Sequence, residues 1–346
     1  MPSHAFILGG TGQIGRAIAA TLLNAGWDVT ISHRGSGAVP KSLVEKGVKV
    51  VTLTREKVGE LQNALDSGAD VLIDTTAYDD SHARQLLNVQ RNVGSFVVIS
   101  SCSVYRDDKG RTLDEASTNG FPKMPFGMKE TQATVDPGPA TYSTQKIALE
   151  RMLLDQATIP VSILRPCAIY GVGSRHPREW WLVKRMLDGR KEIPLAYNGT
   201  SQFHTCSVEN IAALALRCVE KPATQILNIA DPTAPSVSEI AATIANHLNY
   251  AGKFIEVGET QDATAIGSTP WSVPKPFVLD CTAAKDIGYA AATDYSSGVT
   301  SVCDWLVETS TQDDWCKRFP DFANYPNNHF DYDAEDRFFD KLRATT

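Results

Sequence analysis

The chain has 346 residues, 42% of them hydrophobic, and a formal net charge of −7 at pH 7. That is enough apolar side chain for a sizeable core, in one large or two modest domains. The acidic balance, with no cluster of lysine or arginine, weighs against nucleic acid and anionic membrane as partners and points to a small-molecule substrate. The seven cysteines, at 102, 167, 206, 218, 281, 303 and 316, lie far apart with no Cys-x-x-Cys spacing. With an N-terminus that enters a strand within a few residues, they set the expectation of a reduced, cytoplasmic protein without membrane spans.

A strand-like run over residues 5–8 leads straight into Gly9-Gly10-Thr11-Gly12-Gln13-Ile14-Gly15. Gly9 and Gly10 let the chain leave the strand tightly, Gly12 lets backbone approach a pyrophosphate, and Gly15 lets the next helix lie close to the sheet. The amphipathic segment Gln13–Asn24 follows, and the pyrophosphate is expected on its N-terminal amides. Short β-type runs recur at 27–32, 48–53 and Val71–Asp74 after helical segments, as in βαβ units. Ser32, His33 and Arg34 end the second run, where an NAD site carries a carboxylate about 20 residues past the glycines. No acid is there. Arg34, joined by Arg16, suits a 2′-phosphate instead, so NADP(H) is the expected cofactor, with NAD(H) as the alternative. Thr75, Thr76 and Ala77, after the next run, are expected on the same side of the cofactor.

Residues 96–100 and 161–164 are further strands, and Gln225–Ile229 looks like one more. Near-continuous apolar strands imply a parallel sheet covered on both faces. The expected fold is therefore α/β, a doubly wound (Rossmann) parallel sheet over residues 1–172 and 206–232. A smaller interleaved substrate lobe is expected over 173–205 and 233–346, with no strand alternation beyond Asp231. Between the strands, Tyr142 and Lys146 stand four apart near the start of a helix, which places phenol and ammonium on one face. A free phenol titrates near pH ~10, and a nearby ammonium lowers that value. Upstream, Ser100-Ser101-Cys102-Ser103-Val104-Tyr105 sets hydroxyls at the carboxyl edge of the sheet, where doubly wound folds bind ligands.

The glycine turn, the serine stretch, Tyr142-x-x-x-Lys146 and Arg165-Pro166-Cys167-Ala168-Ile169-Tyr170-Gly171-Val172-Gly173, in this order, resemble the extended short-chain dehydrogenase/reductases, the NAD-dependent epimerase/dehydratase family. The resemblance implies Tyr142 as general acid/base, Ser101 as its hydrogen-bonding partner, and Lys146 holding the nicotinamide ribose while depressing the tyrosine's pKa. Ser100 and Ser103 are the competing serines. Pro166, Cys167 and Ile169 are implied on the cofactor side, and a homodimer through the tyrosine helix. Glu115 or Glu130 is either a helper in proton transfer or a solvated loop carboxylate.

Where the family's nucleotide-sugar enzymes carry an Arg-Asp pair, this chain has Phe203-His204. That departure favours a smaller carbonyl or alcohol substrate. His176, Arg178 and Trp180 or Trp181 fall where the family places substrate-facing residues; adjacent tryptophans on a helix point about 100° apart, and core packing of both competes. No metal is expected, since His176 has no partner at a ligand spacing and the acidic tail (Asp331, Asp333, Glu335, Asp336) lacks the ordered calcium-loop pattern. The leading expectation is an NAD(P)-dependent oxidoreductase. Its rivals are a redox-neutral epimerase or dehydratase acting on a sugar or nucleotide sugar, and a non-catalytic cofactor-sensing binding protein.

Overall fold

The computed structural model describes residues 3–35, 39–258, 265–310, 314–325 and 328–345. Its strands are β1 (His4–Leu8), β2 (Asp28–His33), β3 (Lys49–Thr52), β4 (Val71–Asp74), β5 (Phe96–Ile99), β6 (Val161–Pro166), β7 (Ala168–Tyr170), β8 (Glu192–Leu195), β9 (Thr205–Ser207), β10 (Gln225–Ile229) and β11 (Lys253–Glu256). Successive residues of a strand face opposite sides. In β1, Ala5 and Ile7 join the core under helices Gln13–Asn24 and Val208–Glu220, while Phe6 and Leu8 join the core under Asp80–Val89 and Tyr142–Gln156. All four are buried. Burial on both faces forces a sheet sandwiched between helices, and such a sheet is parallel because each crossover lays a helix on one face.

The main sheet has seven strands in the order β10-β6-β5-β4-β1-β2-β3, each pairing parallel. The chain runs outward from β1 through β2 to β3, then returns to β4 on the other side. That reversal opens a crevice at the carboxyl ends of β1 and β4, the place where open α/β sheets bind ligands.

Two small parallel pairs, β7 with β9 and β8 with β11, lie beside the main sheet. The last brings one short strand beyond Asp231, where no strand alternation is expected. Lys253–Glu256 is only four residues long, and its pairing comes from β8, about sixty residues earlier, so nothing local marks it. A second core gathers Trp180, Trp181, Trp271, Val299, Phe319 and Phe322. Helix Thr282–Asp286 returns to the main sheet, where Ala284 and Tyr289 join the first core. Among the described residues no helix is long and apolar enough to cross a membrane.

The helix after β1 can lie this close only because of Gly15. A Cβ there would stand 2.3 Å from the Gly9 carbonyl oxygen and 2.7 Å from Gly10 Cα, whereas one on Gly12 would meet only the Gly9 oxygen, at 3.4 Å. Gly15→Ala is therefore expected to lose about 1–3 kcal/mol, the cost of overpacking, as a lowered Tm, and Gly12→Ala to melt close to the parent. Equal losses in thermal melts of the two variants would mean that close helix packing is not what requires Gly15.

Candidate active site

The carboxyl edge of the sheet opens on a cleft of about 510 Å³ lined by Gly9, Gly12, Thr76, Ser101, Tyr142 and Arg178, among others. Gly9 takes a left-handed φ of 79°, and a Cβ on it would lie 2.3 Å from Thr76 Cγ2. Gly10 donates its N–H to the Ser32 carbonyl at 3.0 Å, which ties the turn to β2. Gly12 caps helix Gln13–Asn24 without a side-chain bond, and the first turn holds no acid. Those amides stay open, and Gln13 Oε1 is buried without a partner. A side-chain-free turn under open helix amides fits a dinucleotide's pyrophosphate. Arg16 donates to the Thr11 carbonyl at 2.6 Å, and burial lowers its pKa. Thr75 donates to the Leu8 carbonyl at 2.8 Å and lines the cleft, as do Cys167 and Ile169 beyond the buried Pro166. Ser32 is buried, His33 Nδ1 accepts from the Gly35 amide at 3.1 Å, and Arg34 is exposed at the end of β2.

Helix Tyr142–Gln156 begins where it does because Thr141 and Thr144 form a reciprocal capping box. Tyr142 is thus the first helical residue, its ring 5.5 Å from that of Tyr78 and open to the cleft. The residue as a whole stays 39% exposed. Burial pushes the phenol up to about 12, and the hydrogen bond with Ser101 pulls the other way. One turn on, the buried Lys146 ammonium donates to the carbonyls of Ala77 at 2.5 Å and Ile99 at 3.0 Å. Burial lowers it to about 8 against the pull of Asp74 and Glu150. An ammonium has three N–H donors, so one is left for a ligand. Lys146 is not among the groups that act most on the phenol here. Its Nζ lies 5.5 Å from the Tyr142 ring centre and is already held by two carbonyls, so desolvation of the phenol prevails.

The three serines take different places. Ser101 lines the cleft and accepts from the Ser103 amide at 3.1 Å. Ser100 turns inward and donates to Glu150, while Ser103 accepts from the Ser143 hydroxyl at 2.9 Å. Neither loop acid lines the cleft: Glu130 accepts from the Asn228 amide at 2.7 Å, and the exposed Glu115 accepts from the Thr112 hydroxyl.

Of the expected substrate-side residues, His176 and Arg178 line the cleft. His176 stacks on Tyr325 at 5.0 Å, and burial holds its imidazole down to about 3. Arg178 donates to the Ile169 carbonyl at 3.1 Å and lies 6.0 Å over the half-buried Phe203 ring. Trp180 does not reach the cleft; it is buried against Phe319 and Trp315, because the apolar tail supplies it a core partner. His204 is likewise interior. Its Nε2–H donates to the Asp231 carbonyl at 2.9 Å and its Nδ1 accepts from the Leu279 amide at 3.2 Å. Sequence reading missed Asp321, which lines the cleft and binds Arg175 at 2.8 Å. The two are 146 residues apart, and no spacing rule connects them.

Fold and cleft together define a dinucleotide-binding enzyme of Rossmann type. The chain belongs to the NAD dependent epimerase/dehydratase family, whose profile matches residues 5–230. Among solved structures it is similar to UDP-glucose 4-epimerase of Thermotoga maritima with UDP-glucose (16% identity, 89% of this chain and 99% of that one, TM-score 0.68). It is also similar to dTDP-glucose 4,6-dehydratase of Bacillus anthracis in complex with NAD (16%, 90% and 98%, TM-score 0.67). A curated relative, the chloroplast stem-loop binding protein of 41 kDa b of Arabidopsis thaliana, is 25% identical over 237 residues. That match takes in 64% of this chain and 57% of the relative's length.

An ammonium that loses its proton near pH 8 sets a test. Its folded-state pKa lies below the ordinary lysine value, so the charge is present below about 8 and lost above it. Affinity for reduced nicotinamide cofactor, titrated by fluorescence, is expected to weaken as pH rises through that value, and Lys146→Met to bind weakly at every pH. A flat profile in the unsubstituted protein would detach Lys146 from cofactor binding.

Proposed function

We propose that this protein is a nicotinamide-dependent epimerase or dehydratase whose Tyr142, Ser101 and Lys146 act on a sugar-type carbinol, with Arg175, His176, Arg178 and Asp321 lining the substrate side. The observation that carries the reading is that Ser101 and Tyr142 line the cleft with the glycine turn, the Lys146 ammonium lying buried 5.5 Å from the Tyr142 ring. When bound, the cofactor supplies the hydride acceptor and donor. The chain's part is proton handling and placement: Tyr142 exchanges a proton with the substrate oxygen, Ser101 holds that oxygen and the phenol in line, and Lys146 anchors the ribose. Family membership and the similarity to epimerases and dehydratases of nucleotide sugars support redox-neutral chemistry over net oxidoreduction. Phe203, where the family's arginine is expected, favours a substrate without a clamped diphosphate. The plant relative's name records stem-loop binding. A net charge of −7 and the complete Ser-Tyr-Lys set support catalysis here instead.

A panel of free and nucleotide-linked hexoses, followed by proton NMR and cofactor absorbance, tests this. The expected result is an isomerised or dehydrated product with no net change in reduced cofactor. Tyr142→Phe is expected to slow it by roughly 10²–10⁴-fold, the usual contribution of a general acid, and Ser101→Ala to slow it more than Ser100→Ala does. Stoichiometric cofactor consumption would put net oxidoreduction first, and a Tyr142→Phe enzyme keeping more than about a tenth of its rate would place the chemistry elsewhere.

The second reading, net hydride transfer with NADP(H), is favoured by the end of β2. Arg34 is exposed there beside His33, with no carboxylate to meet ribose hydroxyls. NADPH is expected to bind more tightly than NADH, and Arg34→Ala to erase the difference. Equal or tighter NADH binding in a fluorescence titration would remove this reading.

A further inference from the structure

Outside the triad, the carboxyl edge of the sheet holds a buried ion pair with no counterpart in the sequence reading. Arg55, just past β3, is 8% exposed, and Asp74, the last residue of β4, is fully buried. Arg55 Nη1 lies 2.9 Å from Asp74 Oδ2 and 3.2 Å from Oδ1, and it also donates to Thr76 Oγ1 at 3.0 Å. Its Nε donates to Gln85 Oε1 at 2.9 Å, anchoring the guanidinium to helix Asp80–Val89. Asp74 Oδ1 in turn accepts from the Thr76 amide at 2.8 Å and the Thr76 hydroxyl at 3.0 Å. An aspartate that bonds the amide two residues on forms a closed turn. This one holds Thr75 and Thr76 against the glycine turn and ends at Ala77, whose carbonyl takes the Lys146 ammonium.

We infer that Arg55 and Asp74 are positioning residues that fix the turn Thr75–Thr76–Ala77 and, through the Ala77 carbonyl, the place of Lys146, while their own charges bias its ammonium directly. The inference rests on the proposed role of Lys146 at the cofactor. The geometry requires it to act through a relay, since neither side chain lines the cleft while Thr75 and Thr76 do. The charged and titratable groups that face the relay are few. Asp74 and Glu150 favour the Lys146 ammonium and Arg55 opposes it. The Tyr142 ring lies 5.5 Å away. His82, lowered by burial and by Arg55, borders the pair from helix Asp80–Val89.

The two partners therefore push Lys146 in opposite directions, and a merely structural pair would not. Asp74→Asn keeps an acceptor for Thr76 but removes the negative charge, so the pH at which cofactor affinity is lost moves down. Arg55→Met removes the positive charge and moves it up, while Arg55→Lys restores the parent value. The shifts are expected on the order of one pH unit, the usual effect of a close charge, in fluorescence titrations of reduced cofactor, with circular dichroism and thermal melts confirming that each variant is folded. The double change Arg55→Met with Asp74→Asn strands neither charge. If a single variant fails to fold, this one carries the test, with weaker cofactor binding than the parent at pH 7 expected. Midpoints that do not move, or that move the same way, or a folded double variant binding like the parent, overturn the inference. The readout is binding alone. Failure of Tyr142→Phe to slow turnover would sink the catalytic reading and leave this result standing.

Discussion

A buried ammonium organises this cleft. Moving a lysine charge out of water is costly unless donors find acceptors, and Lys146 finds two, the carbonyls of Ala77 and Ile99. Those carbonyls stand at the carboxyl ends of neighbouring strands β4 and β5, which a parallel sheet brings to one edge. The helix that carries Lys146 is therefore pinned to the sheet at its first turns, and the same pinning delivers Tyr142 to the mouth of the cleft. The capping box on Thr141 fixes where that helix starts. Sheet direction, helix start and the burial of one charge thus determine a single geometry.

Charge beneath the cleft is arranged with equal economy. Glu150, one turn beyond Lys146 and buried, is held by Arg165 from β6 at 2.5 Å and receives the Ser100 hydroxyl. Arg165 lies 5.0 Å over the Tyr105 ring, and the Tyr105 hydroxyl donates to Asn228 on β10 at 2.6 Å. Buried pairs of this kind add little beyond hydrophobic packing, but losing one partner strands the other. The network also separates two adjacent serines. Residues at a strand end alternate sides, so once Ser100 is drawn inward to Glu150, Ser101 is turned out to the cleft.

The parallel sheet was legible because its strands are apolar on both faces, and the glycine turn because Gly9, Gly10 and Gly15 each stand where a Cβ would collide with backbone or a packed side chain. The shared face of Tyr142 and Lys146 was legible through helix periodicity, and the place of Ser101 at the cleft through resemblance. What escaped has a common cause. Trp180 and His204 carry side chains that suit a binding pocket, yet each found an interior partner supplied from far along the chain: Phe319 and Trp315 for one, Asp231 and Leu279 for the other. The pairs Arg55 with Asp74 and Arg175 with Asp321 are likewise long-range. Spacing rules report neighbours within one element, and they carry no information on contacts set by how lobes and loops fold back.

Burial moves Lys146 and Tyr142 toward the same end. Desolvation penalises whichever form is charged, so it lowers the ammonium to about 8 and raises the phenol to about 12. Both groups are driven toward neutrality, and the phenol keeps its proton at physiological pH. A protonated phenol can give a proton to a developing alkoxide but is a poor acceptor of one. Taking a proton from a carbinol requires added positive charge near the phenol, since Ser101 alone does not offset the desolvation. The strength of this tyrosine as a base therefore depends on what enters the cleft and not on the helix spacing that first drew attention to it.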